Sequence, residues 1–209
     1  MKVTTTPAAL AALVKAVAPA ASKDTYKPHL ARVLVASSTD TFTMTATDGY
    51  RAHMVSDTHA ADNVGEFGEV LVPASALAAL AKTVTKYAKT PSALVTITGD
   101  DDAPALTVAV VVNGSPVMSE VLPQDPADYF PPMGAIFDDA RAASPDDVPA
   151  LSVGFSPAFM SAAFTAADVI AAGGVVTMRP LRERKPAYIR ADNADTLATF
   201  EAVVMPRKQ

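Results

Sequence analysis

The amino-acid sequence predicts an α+β protein in which helices lie on one face of curved antiparallel sheets. A short strand that leads through a proline into an amphipathic helix occurs three times, with Pro7, Pro73 and Pro157 in the lead positions. After each helix come three segments with the β-branched, alternating composition of strands. The predicted unit is therefore a strand, a helix and three strands, used three times.

The three helices are predicted from their first turns and their apolar stripes. Proline is favoured in the first turn of a helix, and Thr6 and Ser156 stand before it as predicted N-caps. Gly173-Gly174 is predicted to end the third helix. Each of the first two helices has one apolar face to bury: Leu10, Leu13, Val14 and Val17 in the first, and Leu77, Leu80, Val84 and Tyr87 in the second.

Turn residues separate the predicted strands. Asp48-Gly49 and Asn113-Gly114 each predict a hairpin turn. The predicted strands are 30–38, 41–47 and 51–57 in the first unit, 93–98, 106–112 and 116–122 in the second, and 175–179, 187–191 and 197–205 in the third.

The repeat also predicts the domain boundaries. Two modules, 1–66 and 67–131, make one domain, and 150–209 makes a third module. The stretch from Asp125 to Pro149 is rich in Pro, Asp and Ala. We interpret it as a connector, with 132–149 as the part between the domains.

Composition limits the class of protein. The chain has 209 residues, half of them hydrophobic, which is enough for a real core. It has no cysteine, which excludes disulfides, thiolate metal sites and a cysteine nucleophile. The amino terminus lacks a basic region followed by an apolar run, and no window approaches the roughly 18 apolar residues of a membrane span. We therefore expect a soluble cytoplasmic protein without a membrane partner.

The motifs of catalysis are missing from the sequence. None of the three histidines has the spacing of a metal-binding motif, and no glycine-rich loop opens a helix to hold a phosphate. No Gly-x-Ser-x-Gly turn is present, and Asp100-Asp101-Asp102 is typical of a solvated acidic turn. We predict a protein that is not an enzyme and has no cofactor and no metal site.

Several segments resemble one family. Ala46–Arg51 resembles the Ala-Thr-Asp-Gly-His-Arg segment in the middle domain of the bacterial sliding clamp, the beta subunit of the replicative DNA polymerase. Tyr129–Pro131 is similar to the end of that domain, and Val203–Arg207 resembles the Met-Pro-Met-Arg tail of the clamp's last domain. Phe155–Pro157 and Arg179–Leu181 also match the family in order. The resemblance covers nearly the whole chain and implies the sliding-clamp fold.

The chain departs from the family in the number of modules. Bacterial clamps have three domains of two modules each, and two subunits close into a ring whose helices line a DNA channel. This chain shows three modules, which resemble the middle domain and the second half of the last one. We expect a shortened, homo-oligomeric clamp-like protein, since four chains would be needed to supply twelve modules. The short, alanine-rich chain suits a phage or mobile element of a GC-rich bacterium.

The resemblance implies a pocket that receives short linear motifs of partner proteins, essentially a Gln followed by apolar and aromatic residues. Tyr50 in place of histidine and Ala52 in place of leucine would reshape it, and Lys208 stands where the family has an apolar end. The alternative is that Asp48-Gly49 is only a hairpin turn and Met205 only core. The predicted pocket residues are Thr47, Gly49, Tyr50, Arg51, Ala52, Pro131, Ile136, Val204, Met205, Pro206 and Arg207.

A cationic surface for duplex DNA is the second predicted site. Net charge is −5, but binding to phosphates depends on where the cations lie. Lys82, Lys86 and Lys89 recur at helical spacing opposite the apolar face of the second helix, and the third helix has no basic residue. The alternative is that the lysines lie on a solvated helix face and that the arginines after the third helix lie at an exposed hairpin tip. The predicted DNA-binding residues are Lys15, Lys23, Lys27, Lys82, Lys86, Lys89, Arg182 and Arg184.

Three functions follow from these features. The leading hypothesis is a processivity factor that binds duplex DNA without sequence specificity and tethers a DNA polymerase or other clamp-motif proteins, with a clamp loader as a further candidate partner. The alternative is an adaptor or decoy that binds the partner motifs without encircling DNA. A third is an enzyme or structural protein without a replication role.

Overall fold

The computed structural model describes residues 2–24, 26–38, 41–58, 67–99, 105–143, 154–180 and 185–206. The described part contains four α-helices, α1 to α4, and twelve strands, β1 to β12. The helices are α1 (Pro7–Val17), α2 (Ala74–Val84), α3 (Met133–Ala142) and α4 (Pro157–Ala171). The strands are β1 (Lys2–Thr5), β2 (Arg32–Ser37), β3 (Phe42–Thr47), β4 (Arg51–Asp57), β5 (Phe67–Pro73), β6 (Ala93–Thr98), β7 (Ala105–Val112), β8 (Ser115–Pro123), β9 (Asp125–Pro126), β10 (Val176–Pro180), β11 (Ala187–Asn193) and β12 (Ala198–Val204).

The strands form two antiparallel sheets. The smaller sheet has the order β1-β6-β7-β8, and the larger has the order β10-β11-β12-β4-β3-β2-β5-β9. The nine strands predicted to follow the helices are all present within one or two residues of their predicted bounds. The predicted α+β class, with helices packed on antiparallel sheets, is confirmed.

The first two modules exchange their first strands. Strand β1 of module 1 pairs with β6 of module 2, and β5 of module 2 pairs with β2 of module 1. Helices α1 and α2 pack against each other above these sheets. Their buried positions are those of the predicted apolar stripes, with Leu10 and Leu80 both fully buried.

The third module joins the first through a sheet. Strand β12 pairs with β4 along seven residues, so that module 3 extends the sheet of module 1. Helix α1 packs against α4 as well as against α2. Helix α4 turns Ala163, Ala166 and Ala167 toward this core, and these small side chains allow a close approach.

Local signals explain where the elements begin and end. The Thr6 hydroxyl accepts a hydrogen bond from the Ala9 amide at 3.1 Å, which confirms the predicted N-cap of α1. Asn113 and Gly114 have φ of 51° and 80°, the left-handed pair that a tight hairpin requires. Helix α4 ends at Ala171, and its C-cap Ala172, in the left-handed conformation, leads into the predicted Gly173-Gly174 stop.

Three details differ from the sequence-based expectations. Part of the stretch interpreted as a connector is helix α3, because Met133, Phe137 and Ala140 form a buried stripe. Residues 154–156, which precede α4, are not in a strand, although the repeat predicts a strand that ends there. Ser156 stands at the N-cap position, but its side chain makes no capping hydrogen bond.

Candidate functional site

The Thr47–Arg51 turn is fixed by its own side chains. Asp48 Oδ1 accepts hydrogen bonds from the amides of Tyr50 at 2.9 Å and Arg51 at 3.1 Å. The Thr47 hydroxyl donates to the Arg51 carbonyl oxygen at 2.7 Å and accepts from the Gly49 amide at 3.1 Å. Gly49 has a φ of 89°, which glycine adopts without strain. The turn is therefore a rigid platform that holds Tyr50 out toward solvent, 62% exposed.

The carboxyl-terminal strand brings the tail to this turn. Because β12 pairs with β4, Val203 lies opposite Ala52, and Val204 lies opposite Arg51. Beyond the last strand pair, the Met205 amide donates to the Tyr50 carbonyl oxygen at 2.9 Å. Met205 is 42% exposed beside the exposed Tyr50. Two of the three predicted walls of the pocket thus come together.

The predicted pocket residues divide into a floor and a surface. Thr47, Ala52 and Val204 are buried, so they support the turn and the tail from below. Gly49 is exposed, and Pro206 is half-buried. Arg207 lies outside the described residues.

Arg51 makes its polar contacts within the fold. Its Nη2 donates to the Pro19 carbonyl oxygen at 2.6 Å, and its Nε donates to Asp48 Oδ2 at 3.1 Å. Its guanidinium also lies 4.6 Å from the ring centroid of Phe159 on α4. Arg51 thereby ties the turn to the end of α1 and to module 3, and only 13% of its side chain is exposed.

Helix α3 and the residues before it carry the positions predicted for the third wall. It packs through Met133 and Phe137 against Ala52 and Val203, on the face of the sheet opposite α1 and α4. Phe130 packs against the same cluster, and Pro131 follows it half-buried. Ile136 is 41% exposed on this helix. The packing of α3 therefore holds Pro131 and Ile136 on the sheet that carries Ala52 and Val203.

An ionic network around the buried Glu201, not expected from the sequence, fastens α3 to the sheet. Arg141 Nε and Nη2 donate to the two carboxylate oxygens of Glu201 at 2.8 and 2.6 Å. The Tyr188 hydroxyl donates to the same carboxylate. Burial and this hydrogen bond raise the pKa of Tyr188 to about 12. The sequence signal for this network is Glu201 within the apolar run of β12, because a buried carboxylate needs hydrogen-bond or charged partners.

His53 lies buried where three elements meet. Its Nδ1 is 2.9 Å from the Ala16 carbonyl oxygen at the end of α1, so this nitrogen carries the proton and donates. Its ring meets Phe200 of β12 edge to face, with 5.1 Å between the ring centroids. Burial lowers the pKa of His53 to about 4. His53 therefore joins modules 1 and 3 as a neutral imidazole.

The predicted DNA-binding lysines are all exposed. Lys15 lies on α1, Lys82 lies in the last turn of α2, and Lys86 lies in the 3-10 turn after it. Lys89 lies in the following turn and not on the helix, because the helical structure ends at Tyr87. Lys23 and Lys27 are exposed in the loop after α1, with Tyr26 93% exposed between them.

Of the predicted cations of module 3, Arg179 is the one whose contacts the structure describes. Arg182 and Arg184 lie outside the described residues. The Arg179 Nη1 donates to the Ala143 carbonyl oxygen at 3.2 Å, and its guanidinium lies over Tyr188, so this arginine is used within the fold. Helix α4 carries one charged residue, Asp168.

Two grooves open where module 1 meets module 3. One, of about 400 Å³, lies beside the turn and is lined by Lys23, Lys27, Asp48, Tyr50, Arg51 and Phe159, among others. The other, of about 550 Å³, lies between the start of α1 and the end of α4 and is mostly apolar.

Within the described residues, no group of three or more acidic, histidine or cysteine side chains could hold a metal ion. None of the described helices is long and apolar enough to cross a membrane.

Solved structures share this fold. The DNA polymerase III subunit beta from Pseudomonas aeruginosa is similar over 100% of this chain and 66% of its own, with a TM-score of 0.72 and 14% identity. The DNA polymerase III beta chain from Streptococcus pneumoniae is similar over 100% of this chain and 65% of its own, with a TM-score of 0.67 and 14% identity. The beta subunit from Thermotoga maritima is similar over 100% of this chain and 65% of its own, with a TM-score of 0.57 and 15% identity. The chain thus spans just under two thirds of the length of these proteins.

Sequence comparison gives the family. No curated protein sequence matches this chain. The model of the central domain of the DNA polymerase III beta subunit matches residues 4–109, slightly more than half of the chain. The chain therefore belongs to the DNA polymerase III beta subunit family, the bacterial sliding clamps.

Proposed function

We propose that this protein is a non-enzymatic processivity factor that binds duplex DNA and tethers a DNA polymerase through a peptide-binding groove. The observation that carries the proposal is the meeting of the Asp48-Gly49 turn with the tail at the Met205–Tyr50 hydrogen bond. Tyr50 and Met205 offer exposed apolar surface beside the buried Thr47, Ala52 and Val204, and Ile136 is exposed on α3. An adaptable methionine beside a rigid turn suits a short apolar and aromatic motif.

The DNA-binding part of the proposal rests on the exposed lysines of the first two modules. Flexible ammonium groups suit contacts to phosphates that do not depend on base sequence. Lys15 and Lys82 lie on helices that pack side by side, and Lys23 and Lys27 extend the charge beyond α1. An exposed aromatic ring such as Tyr26 can also contact a sugar or base.

A clamp-derived adaptor or decoy is the second candidate, and the charge distribution favours it. Module 3 presents no basic residue on its helix, and the whole chain has a net charge of −5. Such a protein would keep the groove and compete for partner motifs without holding DNA. As a processivity factor, the first candidate, the protein would also form homo-oligomers, have a clamp loader as a partner and act in the cytoplasm.

Two titrations test the proposal. A fluorescent peptide with a Gln followed by apolar and aromatic residues is expected to bind with a dissociation constant on the order of micromolar, because such motifs bury little area and must be ordered. A duplex of arbitrary sequence is expected to bind more weakly as salt rises. Peptide binding without any duplex binding at low salt would favour the adaptor, and absence of both would refute the proposal.

A further inference from the structure

The mostly apolar groove of about 550 Å³ is a separate site from the meeting of turn and tail. Modules 1 and 3 join where β4 pairs with β12, and the turn and the tail meet at one end of this pairing. At the other end Asp57 lies opposite Ala198, and both residues line the groove. The seven residues of β4 span about 20 Å, so one short ligand cannot fill both sites.

The walls of the groove are apolar and held in place by hydrogen bonds. Ile170 of α4 and Leu94 of β6 line it, and Leu94 is 44% exposed. Asn193 Nδ2 donates to the Ile170 carbonyl oxygen at 2.8 Å and so ties the turn between β11 and β12 to the end of α4. Asn193 Oδ1 accepts from the Asp195 amide within that turn at 3.0 Å. The groove is thus preformed, and its volume lies within the range of about 300–1,000 Å³ that is typical of ligand sites.

One side of the groove is formed by an edge strand. Strand β1 stands at the end of the four-stranded sheet, and among the described strands it pairs only with β6. Thr4 and Thr5 of β1 line the groove, together with Thr6. Part of the backbone N–H and C=O groups of an edge strand point away from its sheet, and these groups can pair with an added strand. The groove therefore offers backbone hydrogen bonds to an extended polypeptide segment.

The charged residues among the described lining of the groove are both acidic. Asp57 is buried at the end of β4, and Asp195 is exposed in the turn between β11 and β12. Two carboxylates beside apolar walls attract a cation and repel phosphates. Lysine and arginine carry their charge on an apolar stem, so their side chains suit both the walls and the carboxylates. The groove is therefore complementary to a basic residue between apolar residues, and not to DNA.

We propose that this groove binds an extended segment of a partner protein in which a lysine or arginine stands among apolar residues. The segment adds as a strand to the free edge of β1, with every second residue turned toward the groove. Its basic side chain reaches Asp57 and Asp195, and its apolar side chains pack against Leu94 and Ile170. A different segment can occupy the turn and tail at the same time, because the two sites lie at opposite ends of the pairing of β4 with β12.

An NMR titration of isotope-labelled protein with the peptide acetyl-Leu-Thr-Lys-Thr-Leu-amide tests the proposal. In an extended conformation, the lysine and both leucines of this probe share one face. The backbone amide signals of Thr5 and Thr196 are expected to shift, because both residues line the groove. The signal of Met205, beside the turn, is expected to stay unchanged. Probes with Gln or Glu in place of Lys are expected to bind at least about threefold and tenfold more weakly, because they remove or reverse the charge.

Two variants with matched controls assign the binding to the groove. Leu94→Lys is expected to weaken binding of the Lys probe by at least about fivefold, because it removes an apolar contact and places a cation beside the groove. Val121→Lys is its control, since Val121 is exposed on β8, at the other edge of the same sheet. Asp195→Asn is expected to reduce the preference for the Lys probe over the Gln probe. Asp128→Asn changes the net charge equally at an exposed position outside the groove and is expected to keep that preference.

All four substituted residues are exposed, so the variants should fold, which circular dichroism would check. Unchanged signals of the groove residues at about 1 mM of the Lys probe would overturn the proposal. So would equal affinities for the Lys and Glu probes, or a preference for Lys that Asp195→Asn leaves unchanged. These outcomes are distinguishable from a failure of the proposed function, because the Gln-containing peptide and duplex DNA are titrated separately.

Discussion

The amide of Met205 donates a hydrogen bond to the carbonyl oxygen of Tyr50, 2.9 Å away, and so joins the end of module 3 to the Asp48-Gly49 turn of module 1. The bond lies just beyond the last pair of strands β4 and β12, where their ladder would otherwise end. It fixes the position of the Met205 backbone relative to the turn. A ligand bound between the tail and the turn would therefore meet a prearranged surface, which limits the entropy lost on binding.

Met205→Ala is predicted to weaken binding of the Gln-containing peptide by about 1–2 kcal/mol, because it removes an exposed apolar contact and leaves the backbone hydrogen bond in place. Fluorescence anisotropy measures the effect. Val121→Ala removes a comparably exposed apolar side chain on a different sheet and is the control. Equal affinity of the two variants and the wild type would show that the tail is only part of the architecture.

Arg51→Ala is predicted to lower the free energy of unfolding by about 1–3 kcal/mol, because the guanidinium bonds Pro19 and Asp48 and stacks on Phe159. Any loss of peptide affinity would then come from a loosened turn. Urea unfolding measures the stability. Arg190→Ala removes an exposed pair with Asp192 and should change stability by less than about 1 kcal/mol. A stable Arg51→Ala protein that no longer binds peptide would instead make Arg51 a direct ligand.

The role of Arg51 illustrates what the sequence could and could not predict. The Thr-Asp-Gly turn and the proline-led helices are local features, so their strands and helices could be predicted within a residue or two. The direction of the Arg51 side chain depends on Phe159, more than a hundred residues away along the chain. Contacts of that kind arise from the pairing of β4 with β12, which no local pattern specifies.

Helix α3 could not be predicted from the sequence for a related reason. The stretch that contains it is rich in residues typical of connectors, and its helix is held by contacts with distant strands. Phe137 and Ala140 bury against Ala52 and Tyr188, and Arg141 reaches Glu201 sixty residues on. Tertiary packing, more than helix propensity, stabilises so short a helix.

Arg141→Met is predicted to destabilise the fold by about 2–4 kcal/mol, because it leaves the carboxylate of Glu201 buried with only Tyr188 as a partner. Thermal or urea unfolding measures the loss. Asp138→Asn, which removes the exposed partner of Arg141, should cost less than about 1 kcal/mol. If the double variant Arg141→Met/Glu201→Gln is no more stable than Arg141→Met alone, the buried charge is not the cause.

Stability is predicted to fall as pH drops from about 6.5 to about 4, because burial lowers the pKa of His53 to about 4 in the folded state. In this window the unfolded chain binds a proton at His53 and the folded chain does not, so the loss is on the order of 3 kcal/mol. The charged groups that act on the ring are Arg51, which also lowers its pKa, and Asp48, which raises it. His53→Gln keeps a donor for Ala16 without titrating and should flatten the pH dependence of urea unfolding. An unchanged slope would assign the effect to other groups.

The triple change of Lys82, Lys86 and Lys89 to Ala is predicted to weaken duplex binding alike for every DNA sequence. The slope of log affinity against log salt should fall by up to roughly one unit for each phosphate that is no longer neutralised. Because these side chains are exposed, folding should be unaffected. Replacing the same three residues with Arg keeps the charge and should preserve both affinity and slope. Fluorescence anisotropy with two duplexes of unrelated sequence, over a range of salt, measures both quantities. If the Ala variant keeps the wild-type slope, these lysines form a solvated face, and DNA contacts must lie elsewhere on the chain.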